Sequence, residues 1–331
     1  MAKSGQAIPY PRPRASARDR RAKCSAKTQC IIAAMQFSDL ALSRRLERAE
    51  GQACVRHAEA RRRLFPESGA GWMECGGAYA IFDGVHSPVT QSFGLGLFEA
   101  LTAATLDTME RFFVERGAPV LHDMSPLAGS KALELLCARN YRPVEVCNVL
   151  YCAVEPPVAE EPGEARAQLI APEEAQLWSD INAKAWFPEH PELREFLLTR
   201  GAICAAREGC VCFIAEVAGA AQSAQDTQSA KDAQGTQNAG AAHQNKAEPG
   251  AAGVLCIHDG VALFGGSATL PEMRRRGLQA ALLGCRMSYA FEHGCELAMM
   301  AAEPGSRSQR NAERRGFRVA YTRTKWKLCS P

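Results

Sequence analysis

The chain has 331 residues, of which 47% are hydrophobic and 23% are charged. This composition is ordinary for a soluble protein, and the length allows about two domains of typical size. Its formal net charge is +3, and residues 1–34 alone hold eight Lys and Arg residues against the single Asp19, so the remainder lacks the broad basic surface of a non-specific nucleic-acid-binding protein. No apolar run approaches the roughly 18 residues that a membrane span requires.

Residues 1–34 are basic, contain proline and are poor in acidic residues. Three interpretations fit this composition: an organelle transit peptide, a disordered arm, or a start codon assigned too far upstream. Met35 stands directly before the first pattern that predicts order, which favours the last interpretation. We expect the first folded region to begin at about residue 35.

The fourteen cysteines are scattered through apolar runs and include no C-x-x-C pair. Such a distribution is typical of reduced, buried thiols rather than of a disulfide scaffold or a zinc site. We therefore expect a cytosolic protein without a bound metal.

The stretch "QSFGLG" at Gln91–Gly96 matches the whole phosphate-loop pattern Q/R-x-x-G-x-G/A. A phosphate loop must run directly into a helix, because the free N–H groups of the first helical turn bind the anion. Here Gly94 and Gly96 lie in an apolar, strand-like run, and the helical pattern begins only near Thr105. We interpret this stretch as a strand that does not bind phosphate.

The segment Ala218–Gly253 contains no Val, Ile, Leu, Met or aromatic residue. It cannot bury enough apolar surface to offset the entropy of ordering, which predicts a flexible loop. Its flanks "CVCFIAEVAG" and "GVLCIHDGVALFGGSATL" have the composition of strands. We predict an insertion at about 218–253 at the tip of a hairpin whose two strands remain paired.

The remaining C-terminal residues predict a strand to about Leu270, a polar connection, a helix at Leu278–His293, a strand at "CELAMMAA", a short helix, and a final strand. This order is typical of a mixed α/β fold. A second phosphate-loop candidate, "RRRGLQ" at Arg274–Gln279, matches the pattern except at Gln279. Unlike the first candidate, it runs straight into the predicted helix, so two interpretations fit: a loop whose backbone amides bind a pyrophosphate, or a solvated basic helix start.

The run from Thr269 to Met300, followed by "GSRSQRNAERRGFRVAYTRTKW", resembles the coenzyme A-binding core of the GNAT N-acetyltransferases, and Gly316-Phe317 matches a Gly-Phe pair of that family. The resemblance covers roughly residues 168–328. It implies acetyl-CoA as the cofactor. The positions that inherit cofactor binding are Ala268, Leu270, Arg274, Arg275, Arg276, Gly277, Leu278, Gln279 and Asn311.

The catalytic groups are not specified by the resemblance. Many members place a tyrosine acid four residues before the Gly-Phe pair, where this chain has Ala312, and the strand before the loop carries no carboxylate to act as a base. Ser267 and Thr269 are nearby polar residues. The weak catalytic candidates are Ser308, Asn311 and Tyr321.

Residues near 112–151 follow residues near 289–326 element by element, at an offset close to 177 residues. Such a repeat predicts two copies of one fold, of which the first is a degenerate GNAT-like domain at 35–156 and the second a GNAT domain at 157–331. The prolines between 156 and 162 mark the linker. In the second copy, the aromatic residues at the place where the family builds its acceptor wall are Trp178, Trp186, Phe187 and Phe196.

The sequence therefore predicts an α/β protein of two GNAT-like domains that transfers an acetyl group from acetyl-CoA to a small-molecule or peptide amine. The size is compatible with a cytoplasmic monomer, and neither nucleic acid nor a membrane is an expected partner. The alternative is a non-catalytic CoA-binding or partner-binding module, because both a tyrosine at position 312 and a carboxylate on the strand are missing.

Overall fold

The structure is a computed structural model that describes residues 38–157, 163–188, 190–217 and 247–329. The predicted extension at 1–34 and most of the predicted insertion lie outside these residues. None of the helices in the described ranges is both long enough and apolar enough to cross a membrane. Below, residues 38–157 are the N-terminal half and residues 163–329 the C-terminal half.

The N-terminal half contains three helices and five strands in its described residues. In chain order they are α1 (Leu40–Leu64), β1 (Gly71–Cys75), β2 (Ala78–Phe82), β3 (Gln91–Phe93), α2 (Ala103–Val114), β4 (Leu121–Met124), α3 (Ser130–Ala138) and β5 (Tyr141–Ala153).

The C-terminal half contains four helices and six strands in its described residues. They are β6 (Ala165–Leu169), α4 (Ala175–Trp186), α5 (Arg194–Ala206), β7 (Cys210–Val217), β8 (Glu248–His258), β9 (Val261–Thr269), α6 (Leu278–Glu292), β10 (Leu297–Ala302), α7 (Arg307–Glu313) and β11 (Arg318–Leu328). The series β9-α6-β10-α7-β11 repeats the series β3-α2-β4-α3-β5, as the 177-residue offset predicts.

The eleven strands form one mixed sheet in the order β1-β2-β3-β4-β11-β5-β10-β9-β8-β7-β6. The two halves exchange their last strands, because β11 lies between β4 and β5, and β5 lies between β11 and β10. In each half one neighbouring pair is parallel, β3 with β4 and β9 with β10. The halves therefore share a continuous sheet rather than only a surface.

Helices cover both faces of the sheet. Alternate residues of a strand point to opposite faces, and on β5 the neighbours Val149 and Leu150 enter different cores. Val149 packs beneath α1, on the face that also carries α4 and α5, whereas Leu150 packs beneath α6 and α7. On the N-terminal half, α2 and α3 cover the face opposite α1.

Helix α1 crosses the sheet and contacts both halves. It begins at an N-cap, because the carboxylate of Asp39 accepts a hydrogen bond of 2.8 Å from the backbone N–H of Leu42. The spacing of Leu42, Leu46 and Ala49 then places three buried residues on one face of the helix. This face packs on β5, β9, β10 and β11.

Strands β7 and β8 are antiparallel neighbours, which agrees with the predicted hairpin beneath the insertion. The expectation that the loop continues to Gly253 is wrong for its last six residues, because β8 begins at Glu248. Ala251 and Ala252 are fully buried there, and Val217 pairs with Glu248. Small alanine and glycine residues support a strand here because the sheet is covered by helices on both faces.

The expectation of reduced thiols is wrong for one pair of cysteines. Cys210 on β7 and Cys256 on β8 are direct partners in the sheet, with Cα atoms 4.1 Å apart, and they form a disulfide. The pairing follows from the register of two strands that are distant in sequence, so spacing along the chain could not indicate it.

Candidate functional site

A cleft opens between the parallel strands β9 and β10. The two strands are paired only where Val261–Leu263 lies beside Leu297–Met299, although β9 continues to Thr269 and β10 to Ala302. Beyond Leu263, the edge of β9 that faces β10 has no strand partner in the described residues. We call the gap between Phe264–Thr269 and Met300–Ala302 the C-terminal cleft. Along this cleft, the unpaired edge of β9 presents backbone hydrogen-bond donors and acceptors.

A bulge in β9 accompanies this separation. The register of β8 and β9 shifts between Ala252 and Val254, where Gly266 and Ser267 of β9 stand opposite the single residue Gly253. Gly266 has a φ of +56°, a conformation that L side chains rarely adopt, so glycine is required here. A pair of glycines inside a strand pattern is the one sequence feature that could have indicated the bulge.

The loop before α6 lies at the end of β9 that forms the cleft. Gly277 is the N-cap of α6 and has a φ of +80°, and Arg275 also has a positive φ, of +67°. The N–H groups of the first helical turn, from Leu278 onward, have no acceptor within the helix, and the helix dipole adds partial positive charge. The loop and the helix start together form an anion-binding geometry beside the cleft.

The side chain of Gln279 does not obstruct this loop. Its amide donates a hydrogen bond of 2.6 Å to the hydroxyl of Thr269, at the end of β9. The larger side chain at this position of the pattern thus contacts β9 instead of entering the loop. This hydrogen bond also links the start of α6 to the end of β9 at the cleft.

The matching place in the N-terminal half, which we call the N-terminal cleft, is filled from the face of α1. The guanidinium of Arg323 on β11 makes two hydrogen bonds to Glu50 on α1, of 2.6 and 2.9 Å. Its Nε lies 3.4 Å from Asp123 at the end of β4, and Asp123 accepts a hydrogen bond of 3.0 Å from Gln91 on β3. Arg323 and Asp123 are buried. The charges therefore fill the space between α1 and the sheet beside β3 and β4.

Glu47 of α1 lies in the same cluster. Its carboxylate accepts a hydrogen bond of 2.9 Å from the hydroxyl of Tyr321 and lies 3.6 Å from Arg323. Burial raises the pKa of Glu47 to about 7, although the positive charge of Arg323 opposes the shift. Burial also raises the pKa of Tyr321.

A second polar chain fills the N-terminal half from the face of α2. The hydroxyl of Ser92 on β3 lies 2.7 Å from Nδ1 of His122 on β4, and Nε2 of His122 lies 3.0 Å from the hydroxyl of Tyr141. Burial lowers the pKa of His122 to about 3, so the ring is neutral. Ser92 and His122 are both inaccessible to solvent, so this chain is a packing feature.

The arrangement of two parallel strands that separate beside a helix N-terminus occurs in a known fold. At 17% identity, 84% of this chain superimposes on 96% of a GCN5-related N-acetyltransferase from Kribbella flavida with a TM-score of 0.54. The chain has the GNAT fold. A functionally unknown conserved protein from Staphylococcus epidermidis matches 81% of this chain with 96% of its own, at 8% identity and a TM-score of 0.51.

A tandem GNAT protein from the clavulanic acid biosynthesis pathway matches 77% of this chain with 79% of its own, at 11% identity and a TM-score of 0.49. A scan against protein-family models gives no match, and no curated protein matches in sequence. The mixed α/β class and the GNAT fold predicted from the sequence are confirmed.

Within this GNAT fold, the predicted cofactor residues of the loop have different environments. Arg274 and Arg275 are exposed, and Arg276 is half-buried with a guanidinium nitrogen 3.8 Å from Glu248. The side chain of Leu278 is buried in the core beneath α6, so only its backbone faces the loop. Their assignment to a cofactor stays a prediction.

Two predicted cofactor residues belong to β9 and its end. Ala268 is buried and pairs with Ala252 of β8. The backbone N–H of Leu270 already donates a hydrogen bond of 2.9 Å to the carbonyl of Gly250. The amide of Leu270 is thus used within the fold, and the open edge of β9 offers the backbone of Gly265 and Ser267 instead.

The catalytic candidates are not brought together. Ser308 and Asn311 are exposed on α7, whereas Tyr321 is buried in the N-terminal cleft against α1. Ala312, at the position of the family's tyrosine, packs in the core beneath α6 and α7. The described residues therefore show no side-chain acid at the position that the resemblance indicates.

The expectation that Gly94 and Gly96 lie within a strand is wrong, because β3 ends at Phe93. The two glycines follow in a loop with φ values of +77° and +75°. Helix α2 begins only at Ala103, so this loop does not lead directly into a helix start. The interpretation that it binds no phosphate stays a prediction.

The aromatic residues of the predicted acceptor wall divide into two groups. Trp178 is fully buried, and its indole N–H donates a hydrogen bond of 3.0 Å to the carbonyl of Gly253, so it is a core residue. Trp186, Phe187 and Phe196 form a separate cluster on α4 and α5. This cluster lies on the face of the sheet opposite α6.

A cavity of about 870 Å³ runs between the outer surface of α6 and the chain near residues 155–157 and 163–167. It touches the loop only through Arg276 and Gly277 and extends toward Arg315 and Gly316. The residues that line this cavity include none of β9, so it is separate from the open edge of that strand.

Proposed function

We propose that the C-terminal half is an N-acetyltransferase that uses acetyl-CoA and an amine acceptor. The observation that supports this proposal is the position of the open edge of β9 beside the N-terminus of α6. One element offers backbone hydrogen bonds to an extended chain of amides, and the other binds an anion.

The residues present fit coenzyme A. A pyrophosphate would lie against the N–H groups of Gly277 and Leu278, and Arg274 and Arg275 would add positive charge. A Cβ on Gly277 would meet only the Cβ of Ala165, at 3.6 Å, so the required property of Gly277 is its positive φ. When bound, acetyl-CoA would supply an acetyl group activated as a thioester.

The protein's own part in the reaction would be to bind and to orient. Backbone N–H groups of β9 at Gly265 to Ser267 would donate to a carbonyl oxygen at the open edge. The strand carries no carboxylate in Phe264–Thr269, so an amine must lose its proton to water or enter the cleft already neutral. Catalysis would thus depend on holding the amine close to the thioester more than on proton transfer by a side chain.

A second candidate function is a CoA-binding module without catalysis. The observation in its favour is the buried Ala312, which replaces the family's tyrosine acid. Both candidates require the same cofactor site, so binding alone does not separate them.

We also propose that the protein works in the cytoplasm as a monomer, with a small-molecule or peptide amine as its partner and with neither nucleic acid nor a membrane. The near-neutral charge of the chain after residue 34 supports the absence of a nucleic-acid partner.

The test has two stages. Calorimetry with CoA measures whether the cofactor binds, and a thiol-release assay with acetyl-CoA and a panel of amines, amino acids and peptides measures transfer. We expect binding and release with at least one acceptor class. Binding without release across the panel would favour the non-catalytic module, and failure of CoA to bind would overturn both candidates.

A further inference from the structure

Arg200 of α5 lies against the open part of β9, on the face of the sheet opposite α6. A Cβ placed on Gly266 would lie 2.7 Å from Nη2 of Arg200, so the guanidinium occupies the space that a side chain would fill. The same Cβ would lie 3.3 Å from Val254, whose side chain belongs to the core beneath α4 and α5. Gly266 is the third residue of β9 beyond its last pairing with β10.

The position of Arg200 is fixed by its surroundings. Its guanidinium lies 5.3 Å from the ring centre of Phe196, one turn earlier on α5. The next residue, Gly201, donates its backbone N–H to the hydroxyl of Ser179 on α4 at 2.9 Å. A glycine at this contact lets α4 and α5 approach closely, which holds the base of the arginine side chain.

The charge of Arg200 has no carboxylate partner among the described residues. A half-buried guanidinium has lost part of its hydration, so a carboxylate that arrives there gains a charge-assisted, bidentate hydrogen bond.

Two buried arginines, Arg323 and Arg286, have guanidinium groups with a structural role, and each has acceptors within the protein. Arg323 is bound by Glu50 and lies beside Asp123. Arg286, on the opposite face of the sheet, donates to the carbonyls of Leu282 and Val254. Arg200 has neither kind of acceptor in the described residues, although it lies against Gly266 in the open part of β9.

We propose that Arg200 binds a carboxylate of the acceptor, so that the acceptor is an amino acid or the carboxyl-bearing end of a small peptide. The guanidinium would hold the carboxylate on the face of β9 at Gly266, and the amine of the same molecule would then lie at the open edge of the strand. This inference rests on the proposed acetyltransferase function and specifies its substrate class.

The first experiment compares matched acceptors that differ only in the carboxylate, such as phenylalanine with phenethylamine and lysine with cadaverine. Thiol release from acetyl-CoA is measured for the wild type, Arg200→Gln and Arg200→Lys, with Arg62→Gln as a control that removes an exposed charge from α1. We expect the wild type to prefer the carboxylate acceptor at least tenfold in kcat/KM. Arg200→Gln should remove that preference mainly through KM, and Arg200→Lys should restore part of it.

The second experiment measures the binding of two N-acetylated compounds in the absence of turnover. Calorimetry of the CoA-saturated protein with N-acetylphenylalanine and N-acetylphenethylamine should show tighter binding of the carboxylate, and Arg200→Gln should abolish the difference. Equal use of both acceptors, or a preference that survives in Arg200→Gln, overturns the assignment of Arg200 while the proposed function stands. If CoA does not bind at all, the proposed function fails and this inference fails with it.

Discussion

The two clefts of this molecule begin from the same arrangement and reach opposite outcomes. In each half two parallel strands pair briefly beside a helix, but α1 and β11 fill the N-terminal cleft with Glu50, Arg323 and Asp123, whereas the C-terminal cleft keeps the edge of β9 open. The backbone of the fold alone therefore does not make a binding site. The side chains that enter the gap decide whether it binds a ligand or contributes to the core.

The two clefts also place different demands on stability. A cluster of buried charges is tolerated only when every charge has a partner, so the N-terminal cleft depends on all its members. The C-terminal cleft leaves backbone groups to solvent and needs glycine at Gly266 and Gly277 to hold its shape. Mutations should therefore affect stability in the first cleft and ligand binding in the second.

The largest effect is expected from Arg323→Ala, because it leaves the buried carboxylate of Asp123 and the partly buried carboxylate of Glu50 without their cation. Removing one partner of a buried ion pair costs about 3–5 kcal/mol in the free energy of unfolding. Urea denaturation measures the loss. Lys325→Ala, which removes a more exposed ion pair with Glu145, is the control and should cost at most about 1 kcal/mol. Similar losses in both variants would contradict a filled, interdependent cluster.

Gly277→Val should weaken CoA binding at least tenfold, because valine cannot readily adopt a φ of +80° and the helix start must then change shape. Calorimetry with CoA measures the change. Gly294→Val, at the other end of α6 with a φ of +69° and no neighbour within 4 Å, carries a similar backbone strain and should keep its affinity.

In the same loop, Arg275→Ala should cost only about 1 kcal/mol of binding free energy, since the side chain is exposed. Unchanged affinity in Gly277→Val, with the protein folded, would remove the loop from the proposed site.

The N-terminal cleft should also make stability depend on pH through Glu47. Burial raises its pKa from 4.5 to about 7, so the folded protein holds this proton more tightly than the unfolded chain does. The resulting stabilisation is complete below about pH 4.5 and is lost as the pH rises to about 7. Glu47→Gln should therefore lose less stability than the wild type between pH 5 and pH 8.

Urea denaturation at several pH values in that range measures the difference. Glu145→Gln, on the exposed end of β5, is the control and should follow the wild type. A constant offset between wild type and Glu47→Gln at all pH values would show that the carboxyl of Glu47 does not titrate in this range.

The smallest effect on the affinity for CoA is expected from Gly94→Ala and Gly96→Ala. Affinity should stay within about twofold, because this loop does not open a helix. Stability should nevertheless fall, since both glycines have positive φ and a Cβ on Gly94 would lie 2.9 Å from the ring of Phe98. A tenfold loss of affinity in a folded variant would mean that the N-terminal half also holds cofactor.

Local patterns predicted much of the C-terminal half. The helix at Leu278–Glu292 and its N-terminal loop follow from apolar periodicity and from glycine at Gly277 and Gly294. Each of these features depends on neighbours within a few residues.

The cleft and its charges could not be predicted in the same way. The separation of β9 from β10 depends on a register between residues about 36 positions apart, and the bond from Tyr321 to Glu47 spans 274 residues. Arg200 resembles any other helical arginine in sequence, and only its contact with Gly266 distinguishes it. Long-range pairing decides these features, and single-sequence patterns do not report it.

The exchange of last strands has a consequence for biosynthesis. Strand β5 emerges from the ribosome long before Arg318–Leu328, yet its partner on one edge is that distant strand, β11. The N-terminal half thus cannot complete its sheet until β11 has been synthesised, and until then β4 and β5 present unpaired backbone edges. Such late, distant pairing slows folding and exposes the nascent chain to aggregation, so its yield should depend on chaperones.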